Sequence, residues 1–134
     1  MQIRLATQND YLSICRSLQN KGQYWNTPAR VKQDVKLNRL YIAISHDKIV
    51  GQVALENKPE FGYIGIVRLC VYNKKDYGKG IATALIQYIC DLGLENLGGT
   101  PFIENATTCN LFEKFGFKEQ YTFENKYKFY LKKS

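Results

Sequence analysis

Apolar residues recur along this chain with two periods, and their alternation with polar positions marks out strands and helices in a definite order. Residues 2–6 alternate well enough for a short edge strand. Asn9-Asp10 then offers a helix cap. Tyr11, Leu12, Ile14, Cys15 and Leu18 follow at helical spacing, until Asn20-Lys21-Gly22 ends the helix. Thr27-Pro28, a capping residue before a first-turn proline, opens a second helix over about 28–37 with Val31 and Val35 on one face. Two strands, 40–45 and 49–56, flank the polar turn His46-Asp47-Lys48, and a second turn spans 58–62. Residues 63–72 are apolar almost throughout, as in a central strand covered on both faces, with Gly65 and Arg68 as interruptions. The clearest helix is 79–92, where Ile81, Leu85, Ile89 and Leu92 lie three or four apart ahead of Gly93. Gly98-Gly99-Thr100-Pro101 leads into a short strand, 102–104. Residues 105–115 read as a helix closed by Gly116. The C-terminus alternates through Tyr121 and Phe123, turns near Asn125-Lys126, and alternates again through Tyr127, Phe129 and Leu131, which is a hairpin pattern. The order β-α-α-β-β-β-α-β-α-β-β predicts an α+β fold. It is a mixed central sheet of about six to seven strands flanked by about four helices, in a single domain over 1–134.

Length agrees, since 134 residues suit one domain with one sizeable core. No run of about 18 apolar residues occurs, and the N-terminus lacks the apolar stretch of a secretory signal. The expectation is a cytoplasmic protein with no membrane partner. Cys15, Cys70, Cys90 and Cys109 are scattered without a CxxC pair, and His46 is the single histidine. Metal ligation needs clustered ligands, so no metal is expected and the thiols read as reduced packing residues.

The formal net charge of +7 changes the picture more, because it implies an anionic partner such as nucleic acid, an anionic membrane or a phosphorylated small molecule. Lysine and arginine are spread along the chain except over 68–79, where Arg68, Lys74, Lys75 and Lys79 face one acid, Asp76. No nucleic-acid motif accompanies the charge, so a nucleic-acid-binding role has net charge alone in its favour.

That local excess surrounds a glycine turn. A buried strand, a basic loop and then Gly78-Lys79-Gly80 at a helix start make an anion site, because a helix N-terminus presents unpaired N–H groups and a partial positive charge. Taken alone, the turn is also compatible with a tight bend that binds nothing. Two nucleotide motifs are excluded. Ile81 follows Gly80 where a Walker A loop needs lysine, and Thr83 stands where a dinucleotide fingerprint needs a third glycine.

The chain from Leu69-Cys70-Val71 through Lys75-Asp76-Tyr77-Gly78-Lys79-Gly80-Ile81-Ala82 resembles the central motif of the GNAT family of N-acetyltransferases, Gln/Arg-x-x-Gly-x-Gly/Ala after an apolar strand. Asn105-Ala106-Thr107-Thr108-Cys109-Asn110-Leu111-Phe112-Glu113-Lys114-Phe115-Gly116-Phe117 resembles its second pattern, and the opening Ile3-Arg4-Leu5-Ala6-Thr7 with Asp10 is also similar. The resemblance covers essentially the whole chain. It implies transfer of an acyl group, typically acetyl from acetyl-CoA, directly to a primary amine of a small molecule or peptide, by a monomer or homodimer. The implied donor site takes in Leu69, Cys70 and Val71, whose strand backbone would pair with the pantetheine arm. It continues through Lys75, and the amides of Tyr77, Gly78, Lys79, Gly80, Ile81 and Ala82 would hold the pyrophosphate. Thr83, Asn105 and Phe112 complete it, with Asn105 reaching the arm from the opposite side. The strand carrying Leu69 and Val71 would splay from the one at 102–104.

Two departures bear on the chemistry. The family often places a glutamate base on the central strand, where this chain has Val67, or Arg68 if the register slips by one. It often uses a tyrosine to protonate the departing thiolate, and that position is Phe112. Two readings follow: an enzyme that works without those groups, or a non-catalytic acyl-CoA sensor. In the first, Glu104 at the predicted strand end is the candidate base through water, though a surface carboxylate would read the same way. Tyr72, Tyr121, Tyr127 and Tyr130 are the candidates to replace the missing acid. Tyr24 and Trp25, between the first two helices, are the candidate acceptor-binding residues, able to stack on a cation.

Overall fold

The computed structural model describes residues 1–18 and 27–133. The elements follow the expected order: β1 (Gln2–Leu5), α1 (Tyr11–Leu18), α2 (Pro28–Lys36), β2 (Leu40–Ser45), β3 (Lys48–Lys58), β4 (Tyr63–Val71), α3 (Ile81–Cys90), β5 (Asn96–Gly99), α4 (Ala106–Lys114), β6 (Lys118–Phe123) and β7 (Tyr127–Lys133). The seven strands form one mixed sheet in the order β1-β2-β3-β4-β5-β7-β6, with β4 and β5 parallel. Among the described residues, no helix is long and apolar enough to cross a membrane. The chain divides into two compact units, Met1–Ala54 with Arg68–Tyr88 and Leu55–Val67 with Ile89–Ser134.

In the first unit, a 3₁₀ turn at Gln8–Asp10 precedes α1, so Asn9-Asp10 does not cap that helix directly. Asp10 instead reaches back. Its carboxylate accepts from the Thr7 amide at 2.7 Å and from the Arg4 guanidinium at 2.8 and 2.9 Å. The Arg4 hydrogen bonds, with help from Thr7, hold Asp10 down to about 2. Thr27 caps α2 as expected, accepting from the Arg30 amide at 3.2 Å. The β2–β3 turn places His46 and Asp47 at positive φ, 51° and 62°, which fits the twist of a two-residue hairpin. Gly51 on β3 leaves room for α3. A Cβ there would stand 2.9 Å from both the Cys70 carbonyl and Ile81 Cγ2, so glycine lets the first turn of α3 press against the sheet.

The course of β4 depends on a buried polar cluster. Arg68 has φ +51° in mid-strand, a left-handed conformation costing about 1–2 kcal/mol for a residue with a Cβ. Its guanidinium grips Asp34 of α2 in two-pronged fashion, Nε to Oδ2 at 2.7 Å and Nη2 to Oδ1 at 2.8 Å. Arg39 Nε adds a third bond to Asp34 Oδ1 at 2.6 Å. The Arg68 carbonyl accepts from Gln52 Nε2 at 3.0 Å, and Tyr72 donates its hydroxyl to Gln52 Oε1 at 2.6 Å. Asp34 and Gln52 have no exposure at all.

The second unit corrects one strand. The segment after α3 that joins the sheet is Asn96–Gly99, not 102–104, and Phe102 makes only an isolated bridge to Tyr127. Both glycines belong inside the strand because aromatic rings lie against its two faces. A Cβ on Gly98 would meet Tyr63 at 2.6 Å, and one on Gly99 would meet Phe112 at 2.5 Å. Phe112, Phe117 and Tyr130 then stack as the core of this unit, with ring centroids 4.9 and 5.6 Å from Phe112.

Two outcomes are expected. Asp34→Ala strands two arginines and lowers the unfolding free energy by about 3–5 kcal/mol, read from urea unfolding. Arg4→Ala frees the Asp10 carboxyl. Because its folded pKa lies below the ordinary value, the stability it contributes is full above about pH 4 and lost as pH falls towards 2. The variant should therefore lose that contribution and acid-unfold at higher pH.

Candidate active site

The glycine turn is open and preorganised. A 3₁₀ turn at Lys74–Asp76, capped by Asn73 Oδ1 accepting from the Lys75 amide at 3.1 Å, delivers the chain to Tyr77. Gly78 and Gly80 have φ +78° and +80°, and a Cβ at either would meet nothing within 4 Å. The first backbone bond of α3 runs from Ala84 N–H to the Gly80 carbonyl at 2.9 Å. The amides of Ile81, Ala82 and Thr83 ahead of it have no intrahelical acceptor. Two left-handed glycines thus stand beside unpaired N–H groups at a helix start, an arrangement of the kind that binds anions. Lys79 Nζ lies 3.4 Å from Asp76 Oδ1 and is largely exposed, and Lys75 is exposed.

Charge is partitioned the same way. The unit bearing the turn holds twelve of the nineteen lysines and arginines against four acids, while the other holds seven against eight. The basic surplus therefore lies entirely on the side of the anion turn.

The strand leading to the turn is paired to β5 only at Ile64–Leu97 and Gly65–Gly98. Beyond Gly65 no described pairing to β5 continues, and the left-handed Arg68 follows. Leu69 and Val71 are half-buried and Cys70 is buried.

In the second unit, a groove of about 230 Å³ is lined by Lys58, Phe61, Tyr63, Gly65, Ile66, Val67, Gly99 and Thr100. Phe61 stands 70% exposed beside Tyr63, and Tyr63 contacts Phe129 at 5.2 Å. Burial pushes the Tyr63 hydroxyl above its usual range. Lys58 pairs with Glu56 at 3.1 Å. Among the described residues, no carboxylate lines the groove.

The remaining candidates fall as follows. Glu104 is exposed in the turn before α4 and is not part of the groove lining. Asn105 is the N-cap of α4, its Oδ1 accepting from the Thr108 amide at 3.1 Å. Phe112 is enclosed by Gly99, Phe117 and Tyr130, which leaves its ring no face for a ligand. Tyr72 donates to Gln52, and burial pushes its hydroxyl well above the usual range. Tyr130 is fully buried, bonded to Glu113 at 3.2 Å and likewise raised by burial. Neither is placed to protonate a leaving group. Tyr121 is exposed and Tyr127 half-buried. Tyr24 and Trp25 lie outside the described residues. Cys70 and Cys109 are buried packing residues. Among the described residues, no group of side chains is suited to a metal.

Sequence reasoning missed Asp34, Gln52 and the groove residues Lys58, Phe61 and Tyr63. Asp34 and Gln52 carried a signal, an acid on the Val31–Val35 face of a helix and an amide within an apolar strand.

The model of a family described as "Acetyltransferase (GNAT) domain" matches residues 36–119. The chain belongs to the GNAT acetyltransferase family. Members of this family are N-acetyltransferases that use acetyl-CoA. No curated protein matches the chain. Solved structures share the GNAT fold. A GNAT acetyltransferase from Bacillus cereus superimposes with a TM-score of 0.85 at 18% identity, covering 99% of this chain and 96% of that one. Arabidopsis thaliana Naa50 in complex with the bisubstrate analogue CoA-Ac-MVNAL gives 0.78 at 15%, with 99% and 98% covered. The ribosomal-protein-S18-alanine N-acetyltransferase from Escherichia coli gives 0.77 at 13%, with 97% and 90% covered. This GNAT chain lacks a carboxylate at Val67 and a hydroxyl at Phe112. Its Gly98→Ala variant should displace Tyr63 and lose about 1–3 kcal/mol in thermal or urea unfolding.

Proposed function

We propose that this chain acetylates a primary amine of a small molecule or peptide, holding the donor's pyrophosphate on the turn 77–82. The observation that carries the reading is the pair of left-handed, solvent-facing glycines, Gly78 and Gly80, ahead of the unpaired amides of α3. Those N–H groups and the helix N-terminus attract a diphosphate, and Lys75 and Lys79 add mobile positive charge beside it. Leu69 and Val71 lie in the part of β4 without a described β5 partner, so their backbone is suited to pairing with an extended amide chain. When bound, acetyl-CoA supplies an acyl thioester. Naa50 bound to a peptide-containing analogue, and an enzyme named for a protein alanine, support a peptide or protein amine among the acceptors. Glu104 remains the one candidate base that the sequence offers.

Calorimetry with acetyl-CoA should show saturable binding. Gly80→Val should weaken it about tenfold or more, because a β-branched residue is strained at φ +80° and shields the amides. Absence of binding by the native chain would sink the reading. Release of coenzyme A with an amine panel separates an enzyme from a sensor, the reading that Val67 and Phe112 leave open.

A further inference from the structure

In the second unit the two faces of the sheet are covered differently. One is packed by α4, whose Phe112 ring lies against Gly99. The other receives Tyr63 against Gly98, since successive strand residues point to opposite faces. Aromatic rings spread over that second face in a row. From Phe61 the row runs through Tyr63 and Phe129 to Tyr121. It continues through Phe123 and Tyr127 to Phe102, and successive ring centroids lie 4.9–6.4 Å apart. Phe61 is 70% exposed, Tyr121 59% and Phe102 39%. One exposed aromatic is ordinary, but a contiguous row marks a contact surface.

The row reaches an edge strand. β6 is last in the sheet, and every residue from Lys118 to Thr122 is exposed. On β7, the Lys128 amide donates to the Pro101 carbonyl and the Lys126 carbonyl accepts from the Ile103 amide, so both point away from β6. Alternation then turns Tyr127 and Phe129 towards Phe123 and Tyr121. It leaves the Thr122 N–H and C=O on the outer side, with no strand partner among the described residues. Such an edge is a template for a further strand.

The register shift that leaves Gln120 without a β7 partner, and the charges of Lys118 and Glu119, guard this edge against chains at large. They also set what can pair there. Glu119 is held by Lys128 at 3.0 Å. Lys118 and Glu124 are exposed, and neither has an ion-pair partner among the described residues. Let β6 of a second copy run antiparallel to the first, with Tyr121 facing its own counterpart. Lys118 then comes opposite Glu124 at both ends of the contact. Centring the pair on Thr122 instead sets Lys118 opposite Lys126, and like charges oppose that register. The strand is therefore complementary to itself about Tyr121, as a twofold contact requires.

We propose that two copies of this chain join through β6, antiparallel about Tyr121, so that the aromatic row of one copy continues into that of its partner. Thr122 supplies main-chain hydrogen bonds, Tyr121 a ring pair across the axis, and Lys118 with Glu124 the register.

Sedimentation equilibrium of the full chain, from micromolar to several hundred micromolar, should give twice the 15.5 kDa of one chain. Lys118→Glu and Glu124→Lys should each weaken the dimer about tenfold, because each turns two attractive pairs into two repulsive ones. The double variant should restore it. Thr122→Pro removes the outward N–H and leaves the bonds of Tyr121 and Phe123 to β7, so it should give a monomer with an unchanged circular dichroism spectrum. A native chain that stays monomeric over that range overturns the proposal. If such a monomer binds single-stranded poly(U), and Tyr121→Ser abolishes the binding, the row belongs to another occupant. A dimer that persists in Thr122→Pro, or charge variants that fail to rescue one another, puts the contact elsewhere and equally overturns it.

Discussion

Asp34 lies on α2 without exposure to solvent, between the guanidinium groups of Arg68 and Arg39, and the course of β4 follows from that placement. A strand residue with a side chain does not turn left-handed unaided. Here the two-pronged Arg68–Asp34 contact fixes the side chain, and Gln52 Nε2 donates to the Arg68 carbonyl at 3.0 Å. Tyr72 completes the chain of donors, so each buried polar atom described in the cluster has a partner. The left-handed Arg68 follows the β5-paired part of the strand and precedes the part that leads to Gly78 and Gly80. The ion pair therefore contributes less through its net energy, which burial largely offsets, than through the backbone conformation it imposes.

The two units carry different electrostatics. The basic surplus and the unpaired amides of α3 belong to the unit with the glycine turn. The other unit is nearly neutral and rich in aromatic contacts, from Phe61 and Tyr63 through Phe129 to Tyr121. Its β5 is narrowed to Gly98-Gly99, which lets Tyr63 lie across one face and Phe112 fill the other. The position where the family often carries a hydroxyl is thus a core aromatic, and the hydroxyls of Tyr72 and Tyr130 are bound internally.

The fold was legible because its elements follow periodicity. The α3 stripe, the capped start of α2, the β6–β7 alternation and the order of elements all follow from positions a few residues apart. The strand β5 was misread because its glycines look like a turn until their partners, Tyr63 and Phe112, are seen against them. Those partners lie 35 and 13 residues away in the chain from Gly98 and Gly99 respectively. The site divides in the same manner. Gly78, Gly80 and the amides of α3 are local, so the sequence pointed to them directly. Asp34 and Arg68 are 34 residues apart, and nothing local pairs them.

The sequence by itself determined the element order, the anion turn, the excess of positive charge around it and the family pattern, because each depends on short-range spacing and on the conformational freedom of glycine. Only the tertiary structure decided which polar residues hold the left-handed Arg68, that Phe112 and Tyr130 are core, and that an aromatic groove with no carboxylate among its described lining residues includes Gly65 and Gly99. Those are matters of side chains brought together from distant segments, and a linear sequence carries burial and contact only as weak hints.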